Sequence, residues 1–153
     1  METQLETRSI EAGTKADLAG VAAMGPDFWR EGSLHGSFIP DVFVRTWSAL
    51  MDARVGHVLV MKRGSSIIGT LGFFAVQDPN DGALVAQEAF WFVRQDERGA
   101  GLRLLAKYEE VAKALGATRM SMAHINGLMD EKLEHLFTRR GYKATETHYW
   151  RNL

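Results

Sequence analysis

Ala89 to Leu105 reads AFWFVRQDERGAGLRLL. An apolar run of strand length, Ala89 to Val93, breaks into a charged turn, then into Arg98-Gly99-Ala100-Gly101, and then into an amphipathic helical pattern. A strand feeding a glycine turn that opens a helix leaves several backbone N–H groups unpaired, aligned, and at the positive end of the helix dipole. Such a turn is suited to holding an anion such as a phosphate.

Outward from that stretch, the composition sets bounds. A chain of 153 residues is the length of one domain, and it can bury roughly 68–70% of its unfolded surface. The expectation is a single domain over residues 1–153. Hydrophobic residues make up 46% and charged residues 24%, an ordinary globular balance that argues against disorder. A formal net charge of −1 supplies no electrostatic reason for nucleic acid or an anionic membrane to be an obligate partner. The absence of cysteine excludes a disulfide scaffold, a thiolate zinc site and a cysteine nucleophile. The opening residues, METQLETRSIEAGTKADL, lack the apolar core of a signal peptide, and no run of about 18 apolar residues occurs. A cytoplasmic location without membrane association is the expectation.

The order of elements follows from periodicity. Thr7 to Ile10 reads as a short strand. Thr14 with Asp17 three residues on, just before Leu18, Val21 and Ala22, reads as a helix start with an acidic capping partner. Gly25-Pro26 is expected to end that helix, and Asp27 to Ile39 reads as a loop or irregular helix. Pro40 opens a second helix with Phe43, Trp47, Leu50 and Met51 on one face. From His57 the period changes to strands: HVLVM, a turn at Arg63-Gly64-Ser65-Ser66, IIGTLGFFAV, a turn at Asp78 to Gly82, and ALVAQEAFWFV. After the glycine turn, Leu104, Tyr108, Val111 and Leu115 repeat at helical spacing until Gly116. Arg119 to Ile125 reads as a strand, Met129 to Phe137 as a shorter helix ending at Gly141, and Tyr142 to Arg151 as a last strand. No internal repeat or linker suggests a second domain. The order predicts an α+β fold around one mixed, mostly antiparallel sheet.

The glycine turn fits few alternatives. A dinucleotide fingerprint wants a third glycine and a parallel sheet; a P-loop wants Gly-Lys-Ser/Thr; both are absent. His35, His57, His124, His135 and His148 lack paired metal-ligand spacing, so no metal site is expected. No G-x-S-x-G elbow occurs.

The whole order resembles the GNAT superfamily of N-acetyltransferases over nearly the full chain. Arg98-Gly99-Ala100-Gly101-Leu102 after Val93 looks like the family's Arg/Gln-Gly-x-Gly-Leu/Ile turn. Asn126 after a strand, and Phe137-Thr138-Arg139-Arg140-Gly141-Tyr142, look like its Asn and its Tyr-x-x-x-Gly-Phe/Tyr ending. QEAFWFV and ETHYWRNL resemble small members carried by phages and prophages. The resemblance implies a sheet with helices on both faces, acetyl-CoA as donor and a primary amine as acceptor, on a small molecule or a protein, with a homodimer as a possible assembly. It places the pyrophosphate on the amides of Arg98, Gly99, Ala100, Gly101, Leu102 and Arg103, and the pantetheine arm beside Trp91, Phe92 and Val93, often at a bulge. Asn126 and Phe137 complete the implied cofactor contacts.

For the chemistry, Glu88 is the candidate base. Alternation predicts Ala86, Glu88, Phe90 and Phe92 on one strand face, where desolvation would raise its pKa; the alternative is a structural carboxylate bonded to a neighbouring strand or loop. Where the family has a Tyr that protonates the leaving thiolate, this chain has Phe137, so Tyr142 and Tyr108 are candidates for that role. A thiol with a pKa near 8.5 could also leave unaided. His124 could touch substrate or relay a proton, or be a structural histidine. Arg103, where the family has Gly or Ala, could reach a phosphate or be a solvated helix residue. The resemblance implies that Asp27 to His35 lies over the acceptor end of the cleft, where Asp27 and Glu31 could attract a cationic amine or simply form an acidic surface loop. Phe137 and Arg103 also leave open a non-catalytic module that keeps the fold and docks to a partner. Modification of a protein amine or an aminated base is a further alternative.

Overall fold

The apolar runs between Gly56 and Val93 pair in sequence order because each is joined to the next by a tight polar turn. A computed structural model of the chain describes residues 7–32, 36–125 and 127–153. Strands β1 (Arg8–Ala12), β2 (Gly56–Arg63), β3 (Ser66–Gln77) and β4 (Leu84–Val93) form an antiparallel run. β5 (Arg119–Ser121) adds to β4 in parallel, giving a five-stranded sheet in the order β1-β2-β3-β4-β5.

Helices cover both faces. On one face lie α1 (Leu18–Ala23), α2 (Gly25–Gly32) and α3 (Pro40–Asp52). Leu18, Val21 and Trp47 pack there against Val58, Val60 and Phe90, and the Trp47 ring stacks on Phe74 at 5.2 Å. On the other face lie α4 (Gly101–Ala114) and α5 (Asp130–Arg139). Leu104, Leu105 and Tyr108 of α4 are fully buried against Leu71, Phe73 and Met61. The Tyr108 hydroxyl donates to the Ser121 carbonyl at 3.0 Å, tying α4 to β5.

The helix start at Thr14 forms as expected: a single 3₁₀ turn (Lys15–Asp17) precedes α1, and the Thr14 N–H donates to the Asp17 carboxylate at 2.8 Å. Three expectations are corrected. α1 ends just before Gly25-Pro26 as expected, but the pair then starts α2, so that a regular helix runs to Gly32 where a loop or irregular helix was expected; proline is tolerated in a first turn, where its missing N–H has no acceptor to lose. Gly25 is there for space, since a Cβ would fall 2.1 Å from the Phe38 ring. β5 stops at Ser121 rather than reaching Ile125, because the Ala123 N–H turns to a side-chain carboxylate instead of the β4 backbone. Tyr142 to Arg151 forms no strand: the Tyr142 N–H closes onto the Phe137 carbonyl at 2.9 Å, and the residues after it are exposed, Tyr149 by 93%. Alternation gives a strand only where a partner edge and a core face exist to use it.

A Cβ at Gly72 would fall 2.2 Å from Phe90 Cζ. Gly72→Ala is therefore expected to displace the Phe90 ring and destabilise the fold by about 1–3 kcal/mol, read as a lower midpoint in urea unfolding.

Candidate functional site

β4 carries one residue more than its partner: Phe73 opposes Glu88 and Gly72 opposes Phe90, leaving Ala89 unmatched. A bulge of this kind reverses the facing of every side chain beyond it. Glu88 therefore lies on the α4 face with Ala86 and Phe73, while Phe90 and Phe92 lie on the α1–α3 face, across from Gly72 and Thr70. This corrects the shared face expected from simple alternation.

The outer edge of β4 is paired only at Val85, Ala86 and Gln87; among the described residues no strand pairs with it beyond that point. The two strands part there, and Glu88 stands in the fork. Its carboxylate accepts the Ala123 N–H at 3.0 Å across the gap. Burial raises its pKa to about 7, a shift that the bond from Ala123 partly opposes.

The unpaired edge runs directly into the glycine turn. A 3₁₀ turn (Gln95–Glu97) follows β4, Gly99 takes φ +98°, and α4 starts at Gly101. That φ is one at which a side chain would be strained. The turn is held from behind: Glu97 accepts Arg63 at 2.8 Å and Arg8 at 2.6 Å, which keep its carboxyl below the usual range. The N–H groups of Gly101 and Leu102, in the first turn of α4, have no intrahelical acceptor. Gly101 lies against Trp91, whose Cζ2 would be 3.3 Å from an added Cβ. The buried Trp91 indole N–H has no acceptor among the described residues. An unpaired strand edge, a glycine turn and an orphaned N–H beside them are donor-rich, as binding of a pyrophosphate with a peptide-like arm requires.

Two cavities flank this edge. One, of about 790 Å³, lies between α2 and the turn and is lined by Asp27, Arg30, Glu31, Arg94 and Arg98 among others. Its arginines are matched by carboxylates: Arg30 pairs with Asp27, Arg98 with Glu31, and Arg94 with Asp96 at 3.1 Å. Asp27 and Glu31 thus already hold arginines rather than standing free for an amine. The other cavity, of about 340 Å³, is apolar and lies between α1–α3 and the sheet. Phe92 lines both.

The remaining residues singled out in the sequence fall at varied distances from the fork. His124 follows β5, and its Nε2 lies 2.8 Å from the Asp130 carboxylate, which also accepts the Gly127 N–H at 2.8 Å. Phe137 packs between Trp91 and Tyr142, with ring centroids 6.3 and 5.7 Å away. The Tyr142 hydroxyl donates to Glu109 at 3.3 Å, beside the Arg140–Glu109 pair, and burial raises its pKa. The buried Tyr108 phenol is raised for the same reason. Leu102 and Arg103 are exposed on the first turn of α4. Asn126 and His35 lie outside the described residues. Sequence reading missed Ala89, whose bulge has no local signature, and Glu97, whose partners are 34 and more residues away. It also missed the apolar cavity, although the aromatic spacing of Phe28, Phe38, Phe43 and Trp47 was visible.

The sequence profile of the family described as Acetyltransferase (GNAT) matches residues 17–142. No curated protein matches the chain in sequence. Solved structures share the fold at low identity. A predicted acetyltransferase with acetyl-CoA from Clostridium acetobutylicum is 11% identical with a TM-score of 0.78, over 95% of this chain and 96% of that one. A ribosomal-protein-alanine N-acetyltransferase from Brucella melitensis is 15% identical with a TM-score of 0.73, over 96% and 99%. An aminoglycoside acetyltransferase from an uncultured soil metagenomic sample, in complex with trehalose, is 16% identical with a TM-score of 0.76, over 95% and 96%.

A carboxyl whose folded pKa is raised binds its proton more tightly in the folded state. Its contribution to stability is full below the unfolded value near 4.5 and is lost as pH rises through about 7. Glu88→Gln is expected to remove that loss, so that the variant gains on the parent by on the order of 2–3 kcal/mol between pH 4 and 8. Chemical unfolding of both proteins across that range checks it.

Proposed function

The chain belongs to the acetyltransferase (GNAT) family, and from that premise we propose that it transfers an acetyl group from acetyl-CoA to a primary amine by direct attack. The observation that carries the reading is the β4 edge, unpaired beyond Gln87 among the described residues, which runs from Glu88 in the fork straight to the glycine turn. When bound, acetyl-CoA supplies an activated acetyl thioester. The N–H groups of Gly101 and Leu102 bind its pyrophosphate, together with the helix dipole and an Arg98 that exchanges Glu31 for phosphate. The edge of β4 at Trp91, Phe92 and Val93 takes the peptide-like arm, and the Trp91 indole is the donor that such a ligand would satisfy.

Glu88 takes the proton of the attacking amine. With a pKa near 7 it is a substantial base at neutral pH yet not so acidic as to lose driving force. The Ala123 N–H holds its carboxylate across the fork. Phe137 offers no proton, and Tyr142 spends its hydroxyl on Glu109. QEAFWFV and ETHYWRNL support a place among the small phage- and prophage-borne members. The reading as a partner-docking module without turnover draws on Phe137 and the exposed Arg103, and thiol release with a panel of amines separates it from catalysis.

Glu88→Gln is expected to slow thiol release from acetyl-CoA by about 10²–10⁴-fold at pH 7 with acetyl-CoA binding retained; an unchanged rate removes Glu88 from the base role. Gly101→Val, pressing on Trp91 and the pyrophosphate amides, should weaken acetyl-CoA binding about tenfold or more in isothermal titration. A larger loss of stability than of affinity would make Gly101 a packing residue alone.

A further inference from the structure

The apolar cavity on the α1–α3 face is lined by a cage of rings. Phe28 and Trp29 of α2, Phe38 just before α3, Phe43 and Trp47 of α3, Phe74 of β3, and Phe90 and Phe92 of β4 form most of its wall. They contact one another in a chain: Phe28–Phe92 at 5.5 Å, Phe43–Phe90 at 5.5 Å and Trp47–Phe90 at 5.0 Å. Among the described residues no charged side chain lines it. The one hydroxyl that the described residues bring to it, from the buried Thr70, donates to the Leu59 carbonyl at 2.9 Å and so is already engaged. The cavity reaches Ala89, the bulge residue next to Glu88, and meets the charged cleft at Phe92. The two chambers therefore differ in chemistry. The outer one is polar, its three arginines paired with three carboxylates, and the inner one suits a flat apolar group.

We infer that the inner chamber is the acceptor site, and that the acceptor is a monoamine carrying a compact aromatic body, the ring seated among Phe28, Phe43, Trp47 and Phe90 and the amine at Ala89. The inference rests on the acetyl-transfer reading for its chemistry but not for its binding. A volume of about 340 Å³ accommodates one or two fused rings. Ring faces and edges reward an aromatic guest beyond its buried area. A polyamine or an aminoglycoside would strip several ammonium groups of water against walls to which the described residues bring no carboxylate. The pocket also favours the neutral form of the one amine that enters, and that is the nucleophilic form. In the transfer, the amine nitrogen forms the bond to the acetyl carbon, the carbon–sulfur bond of acetyl-CoA breaks with its electron pair leaving on sulfur, and the amine's proton passes to Glu88.

The test pairs isothermal titration of tryptamine, spermidine and kanamycin with thiol release from acetyl-CoA for each. Tryptamine is expected to bind without acetyl-CoA present, and to exceed spermidine and kanamycin about tenfold or more in both affinity and kcat/KM. Phe43→Asp should weaken tryptamine at least tenfold and leave acetyl-CoA binding unchanged, whereas Phe43→Leu, apolar but without the ring, should weaken tryptamine less than Phe43→Asp does and likewise leave acetyl-CoA binding unchanged. If Phe43→Asp does not fold, Phe28→Glu on the half-buried face of α2 makes the same test. Tryptamine binding that Phe43→Asp abolishes, with no thiol released, upholds the chamber and ends the acetyl-transfer reading. Faster turnover with spermidine or kanamycin does the reverse. Displacement of tryptamine by octanoyl-CoA but not by acetyl-CoA would give the chamber to the donor's acyl chain and overturn the inference.

Discussion

The parting of β5 from β4 after Gln87 is the constraint on which the site depends. A parallel strand pair normally continues as long as both chains stay extended, and each further residue would satisfy backbone groups on both. Here the pairing is given up after three residues, at Ser121, and the chain beyond donates its Ala123 N–H to a side chain instead. The consequence is an open backbone edge in the middle of the sheet, bordered by helices on both faces. Buried polar edges need a partner, so an opening of this kind presents backbone groups that a ligand offering hydrogen bonds along a line could pair with.

The Ala89 bulge then divides the labour between the faces. Because one extra residue reverses the facing of side chains, Glu88 lies on the α4 face while Phe90 and Phe92 lie on the other. The carboxylate and the aromatic cage are thus one residue apart in the chain and on opposite sides of the sheet, with the fork between them. Gly72, opposite Phe90, gives that ring room to lie over β3. The same residues that close the α1–α3 core also form the floor of the inner chamber.

The glycine turn depends on contacts remote in sequence. Glu97 holds arginines from β1 and β2, and the Arg94 N–H donates to the Ile68 carbonyl at 2.9 Å. These fix where α4 begins and so where its free N–H groups point. No helix among the described residues is long and apolar enough to cross a membrane.

By itself the sequence determined the meander, the amphipathic helix after Gly101, the helices at Pro40 and Asp130, and the glycine turn that opens a helix. All are local: period-2 or period-3.6 patterns bounded by glycine, proline and capping residues. It also singled out Glu88 as a carboxylate with reason to be raised, though for the wrong neighbours. The tertiary structure decided which face Glu88 occupies, that Gly25-Pro26 starts a helix, that Tyr142 to Arg151 forms no strand, and that four helical aromatics close over Phe90 and Phe92 as a chamber. Those outcomes turn on a one-residue bulge, a vacant edge and packing between segments 40 and more residues apart, and such relations leave no mark in local periodicity.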